Sequence, residues 1–488
     1  MLRPLLKHAS NYTIGNGLMI VAGLVSFPIL TRVLSVDEYG LMSLIATALT
    51  LLVAIGKLGM QHATLRFHSE IQAGKREVGP SAFVSTVVYG MAVIGLAATA
   101  LWMAISQLVP AAWWNDDRIR PLMLMTSVLI FVRVLDSAIV NQLRAQERSG
   151  VLMVYSVARR YASLALLLAV LFWVAGNVWG FYAATIAGEL GATLVMVLWL
   201  YRRDPPRPRD FSPVLFRSML AFGIPMIGYE LSSILLSMGD RYIIQRVLGA
   251  QDLGVYAAAY NMCDYLKSFL FGSLVAAAQP MYMRYWEQEG AEVTSEFLAR
   301  FMRVYMMASM LVVAGLASIG GELLGFLASE KYRAGAEVVP YIMASMAIES
   351  VVIITGAGLY IQKRTRTIML LVFCTALLSL GLNTVLLPRL GIVGAGVSSL
   401  VSYALLMFVG AGLGRSSLAI PMPLAAALKF GAIAAVMYAV VTQIDVHSNL
   451  GTMAVRMAAG LVIYAGLSLA FDRDARQGFG MMRARLGW

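Results

Sequence analysis

Cysteine is nearly absent from this chain of 488 residues, at two, and charged residues are scarce at 13%. Cys263 and Cys374 both fall within apolar runs, where a small thiol packs as a hydrophobe, so neither a disulfide nor a thiolate metal site is expected. Histidine is equally sparse, and His8, His62, His68 and His447 form no pair at metal-ligand spacing. There is no G-x-x-x-x-G-K-[ST] stretch, hence no Walker-type nucleotide site, and no Ser/His/Asp or Cys/His arrangement suited to covalent catalysis. The longest polar connections, 63–80, 201–213 and 280–301, are too short to be domains. Neither a cofactor nor an enzymatic activity is therefore expected, and any chemistry must lie within a bilayer or at its edge.

Apolar side chains dominate instead: hydrophobic residues make up 59% of the chain and the mean hydropathy is +0.75. Soluble domains are nearer to about half apolar and about a quarter charged. The apolar runs are continuous and helix-length, as in LMSLIATALTLLVAI at 41–55, which excludes a barrel of short alternating strands. The expected fold class is an all-α integral membrane protein with fourteen spans. They lie near 11–33, 39–62, 81–108, 119–141, 151–173, 178–200, 214–238, 252–279, 302–328, 337–360, 367–387, 392–413, 424–442 and 452–471. Arg3 and Lys7 precede the first run without a small-x-small cleavage site after it, so that run reads as an uncleaved helix. Basic residues crowd alternate connections, among them Arg76, Arg148, Arg203, Arg284, Arg364 and Arg415, and the tail adds Arg473, Arg476, Arg483 and Arg485. That bias places both termini in the cytosol and accounts for most of the formal charge of +12, so no nucleic-acid partner is needed. Trp102, Trp113, Trp114, Trp173, Trp179 and Trp199 read as interfacial belt residues.

The chain also repeats itself. TRVLSVDEYGLMSL at 31–44 and QRVLGAQDLGVYAA at 245–258 share Arg32/Arg246, Val33/Val247, Leu34/Leu248 and Gly40/Gly254 at an offset of 214. The same offset carries Gly180 onto Gly394, and an offset of 216 carries Gln146 and Arg148 onto Gln362 and Arg364. Duplicated membrane proteins of this kind are characteristically transporters, with the site between the repeats. The expected division is an N-lobe over 1–200, a proline-stiffened cytosolic linker over 201–213, a C-lobe over 214–415, and two further spans with a tail over 416–488.

Charges inside spans are costly and generally face the bundle interior. Helical phase gathers them into stripes: Lys57 on span 2; Arg133 and Asp136 on span 4; Glu189 on span 6; Glu230 on span 7, with Asp240 and Arg241 at its end; Tyr260, Asp264 and Lys267 on span 8; and Glu349 on span 10. Six such faces can line a polar cavity with cations and aromatics. Plainer readings stand beside this one. Arg133/Asp136 and Asp264/Lys267 can neutralise each other as i,i+3 locks, Lys57 can snorkel, and Arg66 and Arg241 sit where interfacial charge is ordinary. Glu189, Glu230 and Glu349 have no partner on their own helix, which fits sugar hydrogen bonding or ion coupling.

The opening NYTIGNGLMIVAGLVSFPILTRVLSVDEYGLMSLIATALTLLVAIGKLGMQHATLRFHSE resembles the start of Wzx-type polysaccharide flippases. It has an early Asn, the R-x-L…Y-G turn and the closing Arg-Phe-x-x-Glu, and GDRYIIQRVLGAQDLGVYAAAY at 239–260 is similar to the matching element of the second half. The resemblance implies the multidrug/oligosaccharidyl-lipid/polysaccharide exporter fold, with two six-helix lobes and here two C-terminal helices. It implies export of a polyprenyl-pyrophosphate-linked oligosaccharide, as for O-antigen or exopolysaccharide, across the bacterial cytoplasmic membrane, with a polysaccharide polymerase and chain-length regulator as further partners. It carries over Arg66, Asp240 and Arg241 as substrate-binding positions. Three alternatives remain: a multidrug or cation antiporter of the same superfamily, a lipid II flippase, and a membrane glycan polymerase or ligase, for which the external loops are short.

Overall fold

A computed structural model describes residues 2–108, 116–421, 423–446, 448–472 and 476, with side chains from Ile14 on, Ser273 apart. The side chains of Arg3, Lys7 and His8, and the whole of Trp113, Trp114, His447, Arg473, Arg483 and Arg485, lie outside these descriptions. The described residues form nineteen α-helices and no strand. They are α1 (Leu2–Val33), α2 (Val36–Gly56), α3 (Met60–Gln72), α4 (Pro80–Leu108), α5 (Ile119–Thr126), α6 (Val128–Ala145), α7 (Ser149–Trp173), α8 (Val178–Leu200), α9 (Pro213–Met238) and α10 (Asp240–Val247). There follow α11 (Ala250–Leu270), α12 (Gly272–Glu289), α13 (Ala291–Leu327), α14 (Val339–Thr355), α15 (Ala357–Ile361), α16 (Thr365–Leu390), α17 (Ile392–Gly414), α18 (Leu424–Val441) and α19 (Asn449–Phe471).

Twelve helices or joined helix pairs are long and apolar enough to cross a membrane, and a bent pair, Glu330–Glu337 with Val339–Thr355, makes a thirteenth. The span expected over 252–279 differs. It is split at Phe271 between α11 and α12, and neither is among the helices long and apolar enough to cross. Two expected connections are helical as well: α3 occupies most of 63–80, and α12 and α13 run through most of 280–301.

By internal packing the chain resolves into two compact units, Met1–Ala257 with Val372–Thr384, and Ala258–Leu371 with Val385–Trp488. In the first unit the segment after α8 is not a free spacer. Tyr89 on α4 donates to the Pro206 carbonyl at 3.0 Å, and the Arg207 and Ser212 amides donate to Ser85 and Thr86 at 3.0 Å each.

Backbone geometry repeats as the sequence does. Glu147 and Lys363, 216 positions apart, both adopt φ 56°. The amides behind them close the same helix-ending bonds, Arg148 to the Leu143 carbonyl at 3.0 Å and Arg364 to the Leu359 carbonyl at 3.1 Å. The 214-residue repeat is matched likewise, since α1 breaks before α2 where α10 breaks before α11. Ser35 makes the first break by a capping box, accepting from the Glu38 amide at 3.3 Å while Glu38 accepts from the Ser35 amide at 3.2 Å. Gly249, at φ +92°, makes the second. The duplicated glycines then meet each other within the first unit. A Cβ on Gly40 would lie 2.1 Å from the Ala250 carbonyl oxygen, and one on Gly254 would lie 1.9 Å from that of Val36. Val36 and Ala250 are themselves 214 apart, so the contact is reciprocal and tolerates only glycine.

Candidate functional site: charged seams between helices

The most closely knit polar group lies in the first unit, where α6, α7 and α8 pack through Ile139, Leu143, Leu152 and Met196. Asn177 fixes the start of α8 by accepting from the Gly180 amide at 3.0 Å. Along the same helices Arg133 donates twice to Glu189, at 2.9 and 2.8 Å. Arg159 reaches Glu189 at 3.2 Å and pairs closely with Asp136, which also accepts from the Tyr155 hydroxyl. Two guanidiniums and two carboxylates thus balance in a half-buried seam. The own-helix Arg133–Asp136 pair does not form: each side chain is drawn to a better-aligned partner on a neighbouring helix, where a two-pronged carboxylate–guanidinium contact is open.

A second seam in this unit owes its geometry to a kink. Leu58 at φ 46° and Gly59 at φ +70° turn the chain between α2 and α3, and Gly59 approaches so near that a Cβ would lie 2.0 Å from the Gly223 carbonyl oxygen of α9. Two turns along α9 from that contact, Glu230 accepts from Gln61 at 2.7 Å and lies 3.6 Å from the Lys57 ammonium. Further along α3, Arg66 pairs with Glu70 at 2.8 Å and lies over Phe222 at 4.4 Å, its side chain 55% exposed. Arg76 holds the other oxygen of Glu70 at 2.6 Å.

Asp240 and Arg241, carried over as substrate-binding positions, lie inside the packing. They are only 5% and 3% exposed, and Asp240 accepts from Tyr256 within the packing of α10 and the start of α11. In the second unit Lys267 lies 3.2 Å from Asp264 and 3.0 Å from Glu349, with Tyr260 half-buried on the same helix. Of the two own-helix pairs expected, this one forms.

Glu189, Glu230 and Glu349, expected to have no partner on their own helix, each meet a cation from another part of the fold.

Residues 29–337, more than half of the chain, match the family described as polysaccharide biosynthesis protein. The chain belongs to that family. It is 24% identical over 263 residues to the succinoglycan biosynthesis transport protein ExoT of Rhizobium meliloti (strain 1021), across 53% of this chain and 49% of that protein. The chain thus spans about half the length of the curated relative it matches. Among solved structures it superposes on the lipid II flippase MurJ in an inward closed conformation with a TM-score of 0.77 at 14% identity, over 95% of this chain and 99% of that one. An inward-facing multidrug resistance MATE transporter of the MOP superfamily gives 0.64 at 15% identity, over 83% and 94%. At such identities the likeness shows the fold, which is the expected helical exporter fold.

In this polysaccharide biosynthesis protein, sequence reasoning missed Arg159 and Tyr155 of the first seam. Their i,i+4 spacing on α7 was the available signal. It also missed Arg456 on α19, a lone arginine in an apolar run, which binds Glu322 at 3.1 Å and the Ser318 and Ile444 carbonyls at 2.8 and 2.9 Å. Asp472, fully buried at the end of α19, holds Arg303 at 2.7 Å and Lys429 at 3.0 Å.

Proposed function

We propose that this membrane protein carries a polyprenyl-pyrophosphate-linked oligosaccharide across the bacterial cytoplasmic membrane for surface polysaccharide assembly. The observation that carries the reading is the coincidence in one chain of a polysaccharide-biosynthesis family match with a transporter fold. The seams fit such a cargo. Guanidinium and ammonium groups held half-buried among apolar helices can take over part of the hydration of a pyrophosphate, and the carboxylates beside them can receive sugar hydroxyls. The prenyl chain stays in lipid. Both termini face the cytosol, and a polysaccharide polymerase and chain-length regulator act on the delivered glycan.

Deleting the gene should abolish surface polysaccharide and trap lipid-linked repeat units on the inner leaflet, with reporter fusions at 205 and 365 reading cytosolic. Unchanged surface polysaccharide, together with drug-stimulated ion exchange in vesicles, would favour the antiporter reading. A second reading, a lipid II flippase, is favoured by the 95% of this chain that superposes on MurJ. Rescue of a cell depleted of its lipid II flippase would support it.

A further inference from the structure

Among the half-buried seams, the one between α6, α7 and α8 has a property the others lack. Its outermost cation, Arg133, with its side chain 28% exposed, is held by both oxygens of one carboxylate, that of Glu189. The second guanidinium, Arg159, shares that carboxylate at 3.2 Å but is anchored independently by Asp136, itself fixed by Tyr155. Glu189 therefore receives three N–H donors from two guanidiniums, the arrangement that a phosphate group also satisfies. By contrast, Glu230 meets a distant ammonium and an amide, and Glu349 a single ammonium, neither of which offers a planar fork.

We propose that Glu189 is a built-in stand-in for phosphate: the pyrophosphate of the cargo displaces it from Arg133, while Asp136 keeps Arg159 aimed at the same place. Arg133 and Arg159 are the seat, and Glu189 is the competitor that sets how tightly the seat holds and how readily it lets go. Without that competitor, a seat of two guanidiniums in a low-dielectric setting retains its anion. With it, leaving is an exchange of one anion for another and exposes no bare cation. The inference rests on the reading of the cargo as pyrophosphate-linked, but its readout is binding and not export.

The full chain would be placed in phosphatidylcholine nanodiscs and titrated with inorganic pyrophosphate and, separately, with a short prenyl pyrophosphate. Glu189→Gln should bind both about tenfold more tightly than the unaltered protein, the equivalent of one charge-assisted contact no longer contested. Adding Arg133→Gln should remove the gain. Tightening for inorganic pyrophosphate identifies a headgroup seat, and a gain confined to the prenyl form identifies a lipid-side seat; both support displacement. An affinity equal to or below that of the unaltered protein for both ligands overturns it. Should Glu189→Gln fail to give a monodisperse protein, phenylglyoxal labelling of Arg133 in the unaltered chain decides: protection by pyrophosphate supports the seat, and unchanged labelling overturns it. Intact surface polysaccharide in a deletion strain would remove the export reading and leave these binding outcomes as they are.

Discussion

Arg133 and Arg456 are both arginines set within apolar helices, and the difference lies in what holds them. Arg456 is half enclosed by backbone. It donates to the carbonyls of Ser318 and Ile444 as well as to Glu322, tying the start of α19 to α13 and to the chain just past α18. A main-chain carbonyl cannot swing away as a side chain can, so this guanidinium is fixed by the backbone of α13 and of the segment past α18 and ties both to α19. Asp472 also joins three helices at the far end of α19, where its fully buried carboxylate holds Arg303 of α13 and Lys429 of α18 beside the packed Phe430, Met437 and Tyr464. Arg133 rests on a side-chain carboxylate, and side chains change rotamer. An intramembrane charge is therefore not a site by virtue of its depth; a movable partner is what separates a seat from a rivet.

The comparison can be broken in order of expected effect. Arg456→Met should cost about 3 kcal/mol of stability, because Glu322 and two carbonyls lose a buried partner. Thermal unfolding in detergent would register it, and normal stability with lost export would reverse the roles assigned here. Asp472→Asn should cost about 2 kcal/mol by leaving Arg303 and Lys429 facing each other without a counter-charge, read by the same melting assay. Arg133→Gln should melt within about 1 kcal/mol of the unaltered protein, since its partner keeps Arg159. Its export rate, however, should fall by at least about tenfold, measured as surface glycan at matched membrane levels. Equal damage to stability and export at Arg133 would erase the distinction.

The smallest effect sharpens the contrast from outside the spans. Arg118 pairs with Asp116 at 2.8 Å and Asp37 at 2.7 Å before α5. Burial works against the charged form of Asp116, but hydrogen bonds from Arg118 outweigh it and hold the carboxyl below its usual range. A depressed carboxyl contributes stability above its unfolded value of about 4 and loses it as pH falls through the lower folded value. Because Arg118 is well exposed, the contribution should stay under about 1 kcal/mol. Melting curves recorded from pH 6 to pH 3 should lose a small increment that Asp116→Asn lacks.

Much of this architecture could be read in the letters. The 216-residue repeat marked two turns that share φ 56° at non-glycine residues, and the 214-residue repeat marked two helix breaks. Helix phase found the face on which Arg133, Asp136, Glu189, Lys267 and Glu349 lie. It could not find the helix each face meets, because periodicity describes a helix about its own axis and says nothing of its neighbours. That is why Arg133 was matched with Asp136 one turn away when Glu189, 56 residues on, holds it. The resemblance brought Asp240 and Arg241 forward, and both prove buried. A motif marks residues the fold depends on without separating packing from contact with cargo.

The meeting of Gly40 with Gly254 has the form of a contact between identical subunits, in which residue i touches j and j touches i, drawn inside a single polypeptide. Such a contact has no second side on which to compensate. Where two different surfaces meet, a larger group on one can be answered by a smaller group on the other; here both faces already carry the smallest side chain there is. Gly40→Ala and Gly254→Ala are then two spellings of one lesion, and combining them should cost less than the sum of their separate costs.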